Sequence, residues 1–168
     1  SDTVAVALPC TPFGLGQAHY TPARAILAAG GLLAIASDLN PGTAWCENMQ
    51  FVIALACRSL GLTPAQAIAA ATINAAAAIQ RAGRIGSLEA GKQADLLVLN
   101  VSDYRHLGYR FGGNLAARVM KRGQWAAENP LCRLTQPFYR QGSYRYADAR
   151  ICATILPFHR PGARIRSY

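Results

Sequence analysis

Residues 37–43 read Ser-Asp-Leu-Asn-Pro-Gly-Thr and follow an apolar run at residues 32–36. An apolar strand that ends in a carboxylate is how α/β folds place reactive groups at the mouth of a sheet or barrel. Asp38 supplies that carboxylate. Pro41 and Gly42 turn the chain sharply, so Asn40, Gly42 and Thr43 offer an amide, a backbone N–H and a hydroxyl to a ligand. Local chemistry also allows a simpler role, in which Asp38 or Asn40 caps a helix starting near Thr43.

Other chemistry-bearing residues are weaker candidates. The five cysteines, Cys10, Cys46, Cys57, Cys132 and Cys152, are odd in number and include no C-x-x-C pair, which suggests neither a disulfide scaffold nor a zinc ribbon. Cys46 and Cys57 lie in or beside a predicted helix, where a small buried hydrophobe is the commoner role. The segment from Gly86 to Lys92 matches G-x-x-x-x-G-K, but Gln93 stands where a Ser or Thr would hold magnesium. Glu89 puts a negative charge in the cradle, and a strand rather than a helix follows. Residues 104–114 interleave Tyr104, Arg105, His106, Tyr109, Arg110 and Phe111, a pattern able to bind RNA, and equally a loop whose arginines pair with carboxylates.

The elements that position these groups follow from pattern. Residues 3–8 read as a strand ended by Pro9, and residues 9–16 as a loop with two prolines and two glycines. Thr21 and Pro22 open a helix that Gly30 and Gly31 stop. A second strand at residues 32–37 completes a βαβ unit, so the two strands should run parallel. Residues 47–60 carry a 3.6-residue apolar period. Thr63, Pro64 and Gln66 form a capping-box start to an Ala-rich helix that runs to Ile79, interrupted at Thr72 and Asn74. There Asn74 reads as a helix-packing polar group that finds a partner. Beyond Arg84 the period changes: a strand and turn at residues 85–92, a buried strand at 94–99, and another at 116–121 with Arg122 and Gly123 as the following turn. The predicted organisation is therefore an α/β unit at 1–84, a small β-structure at 85–128 and an Arg-rich tail at 129–168.

Composition narrows the class. At 52% hydrophobic and 15% charged residues the chain can form a core and is not a disordered polymer. The net charge of +9 is uneven: residues 1–128 hold ten Lys and Arg against seven Asp and Glu, whereas the tail holds seven Arg against one Asp. Such basicity supports solubility or weak non-specific binding more than a nucleic-acid site. No stretch reaches the ~18 apolar residues of a membrane span, and no signal peptide is indicated. A cytoplasmic location is expected.

Four runs carry a specific resemblance: Thr11-Pro12-Phe13-Gly14-Leu15, residues 36–47, Ala71-Thr72-Ile73-Asn74-Ala75-Ala76 and Asp103-Tyr104-Arg105-His106-Leu107. Over residues 1 to 125 the chain resembles the C-terminal part of the imidazolonepropionase family, metal-dependent amidohydrolases of histidine degradation. The stretches around Gly86 and Asp95 are shared by amidohydrolases generally, and the loop at 38–43 singles out this family. The resemblance implies an α/β fold, with residues 3–8 and 32–37 as the last two strands of a (β/α)8 barrel and 85–128 as part of a small β-sandwich. It implies that Asp38 is a metal ligand and the catalytic base, that Asn40 and Gly42 contact the propionate-bearing substrate or product, and that Thr43 contacts the imidazolone. The implied cofactor is one zinc or iron ion, which lowers the pKa of bound water towards about 7. The implied reaction opens the ring of 4-imidazolone-5-propanoate to N-formimino-L-glutamate, and the complete enzyme is expected to be a homodimer.

The family's remaining metal ligands are histidines, including an H-x-H pair. This chain has His19, His106 and His159 alone and no H-x-H, and a catalytic zinc site normally takes about three protein ligands. The expectation is a C-terminal fragment, inactive by itself, that exposes sheet edges and apolar faces. Two other functions fit the residues less well: a deaminase of a cyclic amidine, and a non-enzymatic basic module binding RNA or acidic partners through the tail.

Overall fold

The computed structural model describes residues 3–128. Two small sheets and five helices share one core. Strands β1 (Val4–Ala7) and β2 (Leu32–Ile35) pair in parallel, with Val4 opposite Leu32 and Ala7 opposite Ile35. The connection between them contains α1 (Cys10–Gly14) and α2 (Ala23–Ala28). Parallel pairing brings the C-terminal ends of both strands to one edge of the sheet, and the Ala36 N–H to Ala7 carbonyl bond continues the ladder there. The two segments that leave that edge are α1 and the Asp38 loop.

The predicted loop at residues 9–16 is therefore part helix. Pro9 takes the N-cap position and Pro12 the third helical position, and the first-turn N–H groups of a helix have no intrahelical partner to lose. The following helix starts one residue later than its sequence suggests. Pro22, rather than Thr21, is the N-cap of α2 and makes no side-chain cap, while Gly30, at φ +75°, turns the chain into β2.

Helix α3 (Met49–Ser59) begins at an Asn48 cap whose side chain accepts from the N–H groups of Gln50 and Phe51. Helices α4 (Pro64–Ala71) and α5 (Ile73–Ala78) form the Ala-rich stretch. The Thr63–Gln66 capping box is complete. The break between α4 and α5 falls at Thr72, whose hydroxyl donates to the Ile68 carbonyl at 2.7 Å; such back-bonding competes with the helix ladder. Asn74 donates to the Leu33 carbonyl at 2.8 Å and ties α5 to β2, the partnered role its sequence suggests.

Residues 85–92 form turns rather than the expected strand. Gly86, at φ +97°, sits so tightly on α5 that an added Cβ would come within 2.9 Å of Ile73 Cα and 2.7 Å of Ala76 Cβ. Lys92, Glu89 and Ser87 bond to one another, so the phosphate-loop look-alike is closed by its own side chains. Strands β3 (Leu96–Leu99), β4 (Ala116–Lys121) and β5 (Gln124–Glu128) then make an antiparallel sheet. The last of these was not expected from the sequence. Arg122 and Gly123 both have positive φ, the two-residue turn that matches strand twist in a hairpin.

Leu33 and Ile35 of β2 and Val52 and Ile53 of α3 join Leu97, Leu99, Leu107 and Leu115 in one buried cluster. Each such aliphatic side chain contributes about 1.5–3 kcal/mol through burial. Gln50, itself buried, links the parts: its Nε2 donates to Asn114 Oδ1 at 2.9 Å and its Oε1 accepts from the Leu115 N–H at 2.8 Å. The Tyr104–Gly108 segment is a short 3₁₀ turn whose Leu107 is buried. Arg105 there is paired with Asp103, which holds the Asp103 carboxyl down at about 2. The interleaved Arg and Tyr residues thus include a locally neutralised arginine. The Arg-rich tail lies outside the described residues.

Candidate active site

Asp38 follows β2 directly, at the sheet edge where strand ends converge. Its backbone adopts φ +53°, a left-handed conformation that aspartate tolerates better than most residues. It is half-buried, and its Oδ2 accepts a hydrogen bond from Thr11 Oγ1 at 2.8 Å. Thr11 lies in the first turn of α1, so a contact spanning 27 positions is made locally by the parallel pairing of β1 and β2.

Asn40 organises the rest of the loop. Its Oδ1 accepts from the N–H groups of Gly42 at 2.9 Å and Thr43 at 2.8 Å, and its Nδ2 donates to the Asp38 carbonyl at 2.6 Å and to Thr43 Oγ1 at 2.9 Å. A backbone bridge joins Asn40 to Ala44. Asp38, Asn40, Gly42 and Thr43 are therefore held in one hydrogen-bonded unit. Neither Asp38 nor Asn40 caps a helix, because α3 starts at Met49 under its own Asn48 cap. The simpler role allowed by the sequence is thereby removed.

Helix α1 meets this loop at more than one point. Gly14 packs against the Thr43 carbonyl so closely that any Cβ would overlap that oxygen. Beside it opens a cleft of about 450 Å³ lined by Cys10, Phe13, Thr43, Trp45, Cys46 and Phe111, among others. Phe13 packs edge-on to Phe51 with ring centroids 5.4 Å apart. Burial first, then the neighbouring Cys46 and the Asp38 charge, push the Cys10 thiol up to about 12. A thiol raised in this way holds its proton and is a poor nucleophile, and Cys46 stands in the loop ahead of α3, beside the helix as its sequence suggests. Thr11 and Gly14 are the site residues that sequence reasoning missed. Their signal was the Thr-Pro-Phe-Gly run, which looked like a breaker-rich loop.

Among the described residues no group of three or more His, Cys, Asp or Glu could hold a metal ion. His19 is exposed in the segment before α2, and His106 lies in the 3₁₀ turn. The donors described here do not make a metal site by themselves.

The model of the amidohydrolase family matches residues 2–126. This chain belongs to the amidohydrolase family. Within it, the imidazolonepropionase of Herpetosiphon aurantiacus is 54% identical over 131 residues, covering 78% of this chain and 31% of that protein. The imidazolonepropionase of Symbiobacterium thermophilum is 48% identical over 124 residues, covering 74% of this chain and 29% of that protein. The chain thus spans about 30% of the length of the curated relatives it matches. Among solved structures, E. coli guanine deaminase superposes with a TM-score of 0.62 at 19% identity, over 76% of this chain and 35% of that one. An adenosine deaminase from Xanthomonas campestris with bound zinc gives 0.56 at 25% identity, over 73% and 31%. Both likenesses agree with an amidohydrolase α/β fold. No helix among the described residues is long and apolar enough to cross a membrane.

Proposed function

We propose that this chain is the part of an imidazolonepropionase that carries the Asp38 loop, and that the complete enzyme hydrolyses 4-imidazolone-5-propanoate to N-formimino-L-glutamate. The observation that carries this reading is the 54% identity to an imidazolonepropionase in a stretch whose loop is built as one unit around Asp38. Likeness to the two deaminases is far lower in sequence, so the deaminase reading has no comparable support.

In this reading residues 3–8 and 32–37 are the last two strands of a (β/α)8 barrel, residues 1–84 belong to that barrel, and residues 85–128 belong to the β-sandwich. Val6 and Leu32, on the paired strands, are 48% and 42% exposed, which fits strands that other barrel elements cover. Asp38 would act as the catalytic carboxylate and as one ligand of a zinc or iron ion. Its companion ligands lie outside the described residues, and residues 3–128 by themselves are expected to be inactive.

The chain's own chemistry is that of positioning. Thr11 fixes one oxygen of Asp38, which leaves Oδ1 to exchange a proton with the reacting groups. The N–H groups of Gly42 and Thr43 converge on Asn40 Oδ1, a geometry suited to an anionic oxygen. The propionate carboxylate meets Asn40 and Gly42, and Thr43 Oγ1 reaches the imidazolone ring. The working assembly is a homodimer.

A chimera tests the reading: residues 1–128 replace the matching segment of the Herpetosiphon aurantiacus enzyme. Turnover of 4-imidazolone-5-propanoate, without deamination of guanine or adenosine, is the expected result. A purified, folded chimera that deaminates a purine and leaves imidazolonepropanoate intact would overturn it.

A further inference from the structure

We propose that α1 is the positioning element of this site, with Thr11 setting the Asp38 carboxylate and Gly14 setting Thr43. The inference rests on the function proposed above and adds two residues that lie outside the loop. Three observations carry it. Thr11 Oγ1 donates to Asp38 Oδ2 at 2.8 Å, and a hydroxyl has one proton, so this bond selects one carboxylate oxygen and one rotamer. Gly14 lies against the Thr43 carbonyl with no room for a side chain. Finally, α1 is itself anchored, through buried Cys10 and the Phe13–Phe51 ring contact, to the loop and α3.

The geometry separates two tasks. An Asp38 that has lost Thr11 keeps its backbone, because Asn40 Nδ2 still holds the Asp38 carbonyl, but its carboxylate can rotate. The chemical step then suffers more than substrate binding. A side chain at position 14 displaces the Thr43 carbonyl instead. That shifts the N–H and hydroxyl that meet substrate, so binding suffers more than chemistry. Thr11 acts through Asp38 and Gly14 through Thr43, so both are positioning residues and not catalytic ones. Removing a hydrogen-bond partner that orients a reactive group commonly costs about 10–100-fold in activity.

The test has two arms. In the full chain, the carboxyl-carbon NMR resonance of Asp38 is assigned by its disappearance in Asp38→Asn, then followed in Thr11→Val and Thr11→Ser. The expected result is a displaced resonance in Thr11→Val and an unmoved one in Thr11→Ser, which keeps the hydroxyl. In the chimera, Thr11→Val should lower kcat by about 10–100-fold with KM within about threefold of the parent. Thr11→Ser should restore most of kcat, and Gly14→Ala should raise KM by more than it lowers kcat. An unmoved resonance in Thr11→Val, equal loss in Thr11→Val and Thr11→Ser, or an unchanged KM in Gly14→Ala would overturn the inference. An inactive parent chimera would count against the proposed function alone, since the resonance arm decides the Thr11 contact without turnover.

Discussion

Replacing Asp95 with Ala removes a buried carboxylate that closes the β3–β4–β5 sheet. Asp95 sits just before β3 and is 6% exposed. It accepts from Gln93 Nε2 at 2.7 Å, from the Arg122 N–H at 2.8 Å and from Lys121 Nζ. The last two come from the end of β4 and the hairpin turn, so one side chain fixes both strands' ends. The Lys121 side chain is 45% exposed and can turn to water, so its ion pair is worth at most about 1 kcal/mol. The Arg122 N–H is held in a positive-φ turn and cannot turn away, and a lost hydrogen bond to a charged acceptor costs about 1.5–3 kcal/mol. Together the substitution should destabilise the chain by about 2–4 kcal/mol, a fall of about 4–16 °C in Tm at the usual scaling for this size.

The pH dependence gives the prediction a sign. Burial pushes the Asp95 carboxyl up, but Lys121, the Arg122 N–H and Gln93 outweigh it and leave it below the ordinary value. The unfolded chain, whose aspartates titrate near about 3.9, therefore takes up a proton at Asp95 before the native chain does. Stability from this group is present above that pH and is lost as pH falls through the lower native value. Urea unfolding followed by circular dichroism should show the full gap between parent and Asp95→Ala from about pH 5 to 7, shrinking below about pH 4. A gap under about 0.5 kcal/mol at neutral pH, or one that widens in acid, would refute the reasoning.

Gly86→Ala should cost about 3 kcal/mol in the same urea assay, because it combines a positive-φ position with overlap on Ile73 and Ala76; an unchanged midpoint would contradict that packing. Alkylation at about pH 8 should modify native Cys10 about a thousandfold more slowly than unfolded Cys10, since a thiol near 12 forms little thiolate. Peptide mapping by mass spectrometry reads this directly, with half-buried Cys46 labelled before Cys10. Thr63→Ala should lower stability by about 1 kcal/mol by opening the capping box at the start of α4, measured as a shift in urea midpoint.

Strong local patterns were legible in the sequence. The apolar runs that became β1 and β2, the parallel pairing forced by a short helical connection, and the Thr63 cap all follow from nearest-neighbour chemistry. So does the separation of Asp38 from the strand before it. Elements that depend on tertiary contact were not. Pro9, Pro12, Gly14 and Gly16 look like breakers, yet Pro9 and Pro12 occupy positions where a missing N–H costs nothing, and Gly14 is there because Thr43 leaves no space. Residues 85–92 have strand-like composition, but Gly86 on α5 and the Lys92–Glu89–Ser87 cluster draw them into turns. Strand β5 is short and rich in small residues, and its clue was the Arg122–Gly123 turn rather than its own side chains. Asn40 carries the same lesson: its type suggests a ligand contact or a cap, whereas only the folded loop shows its amide bonded to Asp38, Gly42 and Thr43.

The central claim is that the Asp38 loop of this chain completes an imidazolonepropionase site. The most direct measurement is the rate of 4-imidazolone-5-propanoate hydrolysis by the chimera and by its Asp38→Asn form, compared at equal folded concentration. Turnover by the parent and a loss of at least about a hundredfold in kcat in Asp38→Asn are expected, within the usual range for a proton-transferring carboxylate. An Asp38→Asn chimera that turns over as fast as its parent would contradict that claim.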